Sequence, residues 1–332
     1  MTKKQASSIA YGKLILNGEH AVVFDRHALA IPISNLQTKV SISNCNQKGV
    51  YFKSKYFFGN LADCKSILPS LYALIHEFLH YIGNSNANFQ VNIESSIPEA
   101  SGLGSSAAVA WSLTKALNFF FKANLSKEEM YRIANTSERI LHTNPSGLDL
   151  ATSSSKGPIV FQKNKKPLKL ELNSELSGFL VIATTPKHGI TKNAIIQVAK
   201  NAEIHPVLYE QYFNQIDEIT FRAIEHLQTG NMEEFGFDLT ENQRVLSKMQ
   251  LSTPKIEELL QIAYKSGSLG AKITGSGLGG SIFALMPDSI TANKLESNFR
   301  KAETNFTQII DLSSYAKKDE RKIDEKSQKI KL

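Results

Sequence analysis

Pro98-Glu-Ala-Ser-Gly-Leu-Gly-Ser-Ser-Ala-Ala108 decides how this chain is read. Gly102 and Gly104 precede two adjacent hydroxyls, Ser105 and Ser106, and an apolar run suited to a helix follows from Ala107 to Phe121. A glycine turn that opens straight into a helix leaves backbone N–H groups unpaired at the positive end of the helix dipole. Glycine also lets the backbone close on a phosphate with no Cβ in the way. A serine hydroxyl there can bond a phosphate oxygen or ligate Mg²⁺. The same residues suit an ordinary serine cap on a core helix, so the flanking sequence has to decide.

Upstream, Ser8 to Ile15 reads as a strand ending at Asn17-Gly18, with further strands over 28–40, 41–44 and 50–58. Residues 67–82 form an amphipathic helix stopped at Gly83-Asn84, and Phe89 to Glu94 is the strand that delivers the chain to the glycine turn. Downstream, Ser126-Lys-Glu-Glu129 is a capping box opening a helix to about His142. A tight turn follows at Asn144-Pro-Ser-Gly147, then short strands over 157–161 and 168–172 around the lysine-rich hairpin Lys163 to Lys166. Near Ser177 the pattern restarts with a strand over 179–184 and helices over 191–203, 207–228, 232–247 and 254–266. Strands over 271–274 and 281–286, a helix over 291–299 and a strand over 306–312 close the chain. Strands and helices mix without regular βαβ alternation, so the fold class is α+β rather than doubly wound. The 332 residues suggest two domains, divided near 175.

Two further segments carry chemistry. In Gly12-Lys-Leu-Ile-Leu-Asn-Gly-Glu-His-Ala-Val-Val23, Lys13 emerges in a largely apolar strand, where a charge needs a partner or a task. Glu19 and His20 follow an Asn-Gly turn and project from a loop at the strand end. In Glu138 to Asp149, two carboxylates have different settings, Glu138 on a helix face and Asp149 just past a Pro/Gly turn. One such carboxylate can hold Mg²⁺ while the other accepts a hydroxyl proton. Gly275-Ser-Gly-Leu-Gly-Gly280 matches a dinucleotide fingerprint in letters only. A strand follows it where that fingerprint needs a helix, so a glycine hairpin facing a ligand fits better. His76-Glu-Phe-Leu-His80 matches a zinc-protease pattern, but Asn86 stands at the third-ligand position and is a poor zinc ligand.

Composition narrows the class. With 42% hydrophobic and 21% charged residues, the chain has a globular composition. No run approaches the ~20 apolar residues of a membrane span. Two cysteines, Cys45 and Cys64, make no framework or metal spacing, and the start shows no signal-peptide pattern, so a cytoplasmic protein is expected. The net charge of +7 includes +3 from the tail at 317–332. The rest suits a polyanionic small substrate and does not call for nucleic acid or membrane; a homodimer is allowed.

In this order the three segments resemble the GHMP kinases, the family of galacto-, homoserine, mevalonate and phosphomevalonate kinases. Lys13 to Val23 is similar to the first family motif, Pro98 to Ala108 to the second and Lys272 to Gly280 to the third. The stretch around Glu19-His20-Ala21-Val22 and the Asn-Pro-Ser-Gly-Leu-Asp149 run are most similar to the mevalonate-phosphorylating branch. Asn17 and Leu278 to Ser281 depart from the family pattern, which keeps a related hydroxy acid or a sugar open as acceptor. The resemblance implies a ribosomal-protein-S5-domain-2-like α+β domain over 1–175, a ferredoxin-like domain over 176–316 and a charged tail over 317–332. It implies ATP and Mg²⁺, with mevalonate as the small-molecule substrate. Asp149 would be the base, with Lys13 orienting it. Pro98, Ser101, Gly102, Leu103, Gly104, Ser105, Ser106 and Ala107 would cradle the phosphates, and Ser106 and Glu138 would hold the metal. Glu19, His20, Thr191, Gly275 and Ser276 would border the acceptor, together with Lys13 and Asp149.

Overall fold

The computed structural model describes residues 5–316 apart from 56, 143–144 and 187–190, and it leaves out the side chains of 64, 191 and 192. The expected charged tail and the Asn144 end of the Pro/Gly turn therefore lie outside the described residues.

A long antiparallel hairpin founds the first sheet. Strand β1 (Gln5–Asn17) pairs along most of its length with β2 (Ala28–Asn44), with irregularities at Tyr11/Gly12 and Ile15/Asn17. On its other edge β2 pairs with β5 (Phe89–Ser95) at one end and β6 (Ile159–Phe161) at the other. Strands β3 (Val50–Lys53), β4 (Phe58–Asn60) and β7 (Leu168–Lys169) complete seven strands in the order β4-β3-β5-β2-β6-β7, with β1 beside β2. Helix α2 (Ser105–Phe121) packs on β1 and β2, and α3 (Lys127–Leu141) packs on α2 and on α1 (Pro69–Tyr81). Apolar residues of β1 and β2 such as Leu14, Leu29 and Ile31 meet Ala107, Leu113 and Leu117 of α2 in one core.

The second sheet is built from β8 (Phe179–Thr184), β9 (Gly270–Thr274), β10 (Ser281–Met286) and β11 (Phe306–Asp311), all antiparallel, in the order β11-β8-β10-β9. Helices α5 (Thr191–Ile204), α6 (Pro206–Thr229), α7 (Met232–Lys248) and α8 (Pro254–Lys265) lie between β8 and β9, and α9 (Ser289–Lys301) lies between β10 and β11. That strand order with helices in both crossovers is the ferredoxin-like arrangement. Helix α7 lies against β9 at a bare glycine crossing: a Cβ on Gly270 would come within 2.0 Å of the Gly236 carbonyl oxygen. The α+β expectation holds in both sheets.

Several element readings are corrected. Residues 28–44 form one strand, because the alternation of buried positions continues through Val40 and Ile42. The expected strand over 50–58 is a hairpin, turned where Ser54 N–H donates to the Phe57 carbonyl at 2.9 Å. The strand expected over 168–172 ends at Lys169, although Leu170 and Leu172 remain buried. Asp149 stands in the first turn of a short helix, α4 (Leu148–Ser153), and not merely beyond a turn.

Candidate active site

The glycine loop is fastened from below before it reaches α2. Ser101 Oγ donates to the Pro98 carbonyl at 2.7 Å and accepts from Leu103 N–H at 3.3 Å. The Leu103 carbonyl accepts from Lys13 N–H at 2.9 Å, tying the loop to β1. Gly102 and Gly104 both have positive φ, and Gly104 caps α2 without a side-chain hydrogen bond. The N–H groups of Ser105, Ser106 and Ala107 thus head the helix with no side-chain cap. A Cβ on Gly104 would lie 2.6 Å from Lys13 Cγ, so only glycine lets Lys13 run beneath the loop.

Lys13 is buried on β1, and its Nζ lies 3.0 Å from Asp149 Oδ1. Asp149 keeps 35% of its side chain exposed and lines a cavity with Lys13, Glu19, His20, Glu138, Gly275 and Ser276. Tyr131 Oη donates to the Gly147 carbonyl at 2.6 Å and so fixes the residue that caps α4. Glu138 is buried, its carboxylate takes a hydrogen bond from Ser106, and its Oε1 has no hydrogen-bond partner among the described residues. Burial first, then the negative charge of Asp149, pushes the Glu138 carboxyl up to about 7. An orphaned carboxylate oxygen beside a hydroxyl, next to uncapped helix amides, is a donor set that suits a hard divalent cation with phosphate oxygens.

Glu19 and His20 do not project outward as expected; both are buried between the sheets. Glu19 is ion-paired with Lys272 of β9, which also donates to the Ile273 carbonyl at 2.7 Å. Burial pushes the Glu19 carboxyl up and the Lys272 ammonium down, each against the pull of its partner. His20 Nε2 lies 2.9 Å from the Ser276 carbonyl, so that nitrogen carries the proton, and burial lowers the ring's pKa to about 4. Gly275 and Ser276 begin the β9–β10 glycine turn, and Gly275 approaches Gly102 across the cleft, so the two glycine segments face each other. Ser281 Oγ donates to the Ser101 carbonyl at 2.7 Å and closes that contact.

All the expected site residues whose side chains are described gather here; the side chain of Thr191 lies outside the described residues. Lys272 and Tyr131 went unassigned in the sequence. The signal for Lys272 was the one that exposed Lys13, a lysine within an apolar strand. Tyr131 left no comparable signal, since a helix tyrosine is common. His76 and His80 lie exposed on α1, away from this cavity.

A mixed α+β pair of sheets with a glycine loop at their junction defines a class, and comparison with known proteins agrees. The model of the GHMP kinases N terminal domain matches residues 70–157, and that of the GHMP kinases C terminal matches residues 223–305. The chain belongs to the GHMP kinases. Its relatives include the mevalonate kinase of Archaeoglobus fulgidus, 33% identical over 83% of this chain and 90% of that one. The mevalonate kinase of Thermococcus gammatolerans is 31% identical over 84% and 88% of the two chains. Among solved structures, L. major mevalonate kinase in complex with R-mevalonate superposes with a TM-score of 0.78 at 24% identity, covering 93% of this chain and 97% of that chain. Among the described residues, no helix is long and apolar enough to cross a membrane.

Proposed function

We propose that the protein transfers the γ-phosphoryl group of ATP to the primary hydroxyl of mevalonate, giving 5-phosphomevalonate and ADP. The observation that carries this reading is the ion pair at 3.0 Å between buried Lys13 and partly exposed Asp149, beside the glycine loop. The relatives' activity gives the acceptor.

In this reading the loop from Pro98 to Ala107 binds the phosphates through backbone N–H groups and the Ser105 and Ser106 hydroxyls. Ser106 and Glu138 would hold Mg²⁺, which when bound would neutralise charge on the phosphate oxygens. Asp149 takes the proton of the acceptor hydroxyl as that oxygen attacks phosphorus. Lys13 fixes the carboxylate in place and offsets negative charge at the attacking oxygen. Glu19, His20, Gly275, Ser276 and Thr191 border the acceptor, with Glu19 and His20 held by Lys272 and by the Ser276 carbonyl. Positioning and charge complementarity supply most of the acceleration. The division into residues 1–175, 176–316 and a tail at 317–332 belongs to the same proposal. It is supported by the passage from β7 of one sheet to β8 of the other.

The test is ADP release with Mg-ATP in the presence of mevalonate, phosphomevalonate, galactose, homoserine or no acceptor. Turnover confined to mevalonate is expected. Preferred turnover of another acceptor would reassign the substrate within the family. No turnover on any of them would remove the proposed activity.

A further inference from the structure

The segment that carries the chain from Glu19 and His20 into β2 is strained at both ends. His20 has φ +61° and ψ −48°, and Ala21 N–H donates to the Glu19 carbonyl at 2.7 Å across it. That is the rare γ-turn geometry, which an L-residue adopts at a cost. A 3-10 turn follows over Ala21–Phe24 and ends at Asp25, which has φ +63°. Two non-glycine residues at positive φ so close together persist only where the surroundings fix them.

One face of α6 does the fixing. Glu210, Phe213, Asn214, Asp217 and Phe221 stand three or four residues apart, so they share that face. Phe24 stacks on Phe213 with ring centroids 4.1 Å apart. Arg26 is ion-paired with Glu210 and donates from Nη2 to Asn214 Oδ1 at 2.7 Å. Asp217 Oδ1 accepts His27 N–H at 2.6 Å and lies 3.0 Å from His27 Nδ1, while the His27 ring lies on Phe221 with centroids 4.6 Å apart. Away from α6, Gln162 Nε2 donates to the Asp25 carbonyl at 2.9 Å.

The turn divides its side chains between two cores. Ala21 and Phe24 belong with Phe213 and Ile216 of α6. Val22 belongs to the apolar cluster of Leu148 and Ala151, which flank Asp149 on α4, and Val23 packs against that cluster. Val22 and Val23 also line the catalytic cavity, whereas no α6 residue does. We propose that α6 clamps this wall of the cavity, with Asp217 as a positioning residue that acts through His27 on Val22 and Val23. The inference rests on the kinase reading above and adds to it a residue that sets acceptor affinity without touching the acceptor.

The test is steady-state kinetics of Asp217→Ala in the full chain, with mevalonate and Mg-ATP varied in turn. The mevalonate KM should rise about tenfold or more, while kcat and the ATP KM stay within about threefold of the parent, the signature of lost acceptor binding. Asp217→Asn keeps an oxygen for both His27 donors and should bring the mevalonate KM back to within about twofold of the parent. Arg26→Ala removes the ties to Glu210 and Asn214 at a half-exposed position, and should move the mevalonate KM the same way by about threefold. Hydrogen–deuterium exchange without substrates should quicken about tenfold or more over residues 21–27 in Asp217→Ala and stay unchanged over 101–107. An unmoved mevalonate KM, even beside a lowered melting temperature, would reduce the contact to a structural tie and overturn the proposal. Equal rises in both KM values, an Asn variant as impaired as the Ala variant, or unchanged exchange over 21–27 would overturn it as well. A parent that turns over no acceptor sinks the kinase reading instead, and exchange over 21–27 then decides alone whether α6 clamps the turn.

Discussion

At the scale of single residues, the site depends on which side chains are free to act and which are held. Asp149 has one oxygen on Lys13 and a third of its side chain exposed to the cavity. In the proposed role of proton acceptor, its replacement in Asp149→Asn is expected to lower kcat by roughly 10²–10⁴, the usual share of a general base. Near-full turnover in a rapid-quench assay would remove it from that role. Gly104 acts by what it lacks. In Gly104→Ala the new methyl meets Lys13 Cγ at 2.6 Å with φ at +78°, so stability is expected to fall by roughly 1–3 kcal/mol and Lys13 to shift. A thermal melt reads the first effect and kcat the second; an unchanged melt would show that the loop relaxes freely. His20 is buried and neutral, with its pKa lowered from 6.5 to about 4. The unfolded chain therefore binds this proton first as pH falls. The contribution of His20 is full above 6.5 and is lost on the way down to about 4. His20→Gln keeps a donor for the Ser276 carbonyl and removes the titration. Its urea midpoint should fall less between pH 7 and 5 than that of the parent, by the equivalent of about 2 kcal/mol. Parallel falls would place the pH sensitivity elsewhere.

At the scale of elements, the six-residue helix α4 sets the position of Asp149, and Tyr131 sets α4. Removing its hydroxyl takes one of two hydrogen bonds from the half-buried Gly147 carbonyl, which keeps that from Ala151 N–H at 3.0 Å, a loss of about 1 kcal/mol. Tyr131→Phe is therefore expected to lower kcat roughly tenfold while the acceptor KM moves little, since a loosened base changes alignment more than binding. An equal rise in KM with kcat intact would instead place Tyr131 in substrate binding. This element also marks a limit of the sequence. Long helices such as α2, α3, α6 and α7 show several turns of periodicity, and the Ser126–Glu129 capping box predicted in the sequence is formed in the structure. Helix α4 has fewer than two turns after Gly147, too few to show a period. The hairpin over 50–60 was equally hidden, because its turn is made by Ser54 and Phe57 without glycine or proline.

At the scale of the whole molecule, the catalytic cavity lies on a seam between two sheets, and the contacts crossing the seam join residues far apart in sequence. Thr274 Oγ1 both accepts from Ile15 N–H and donates to the Ile15 carbonyl at 3.1 Å. Asp217 of α6 takes His27 N–H at 2.6 Å, and Tyr315 Oη donates to the Pro32 carbonyl at 2.5 Å. The motifs of one half were legible because each is a local run with its own chemistry. The Glu19–Lys272 pair spans 253 positions and has no local signature, so its partners could be named only from the folded chain. Both members are buried, which makes the pair a test of how the seam holds the site. Lys272→Met strands a carboxylate in the interior and is expected to cost roughly 3–5 kcal/mol, measured by urea denaturation. Removing the charge as well, in E19Q/K272M, should return part of that loss, because no uncompensated ion then remains. If the double variant instead loses the sum of the two single losses, the pair is not coupled, and the seam is held by its hydrogen bonds and apolar contacts alone. Where stability returns and activity does not, the charged pair serves the cavity wall as well as the fold.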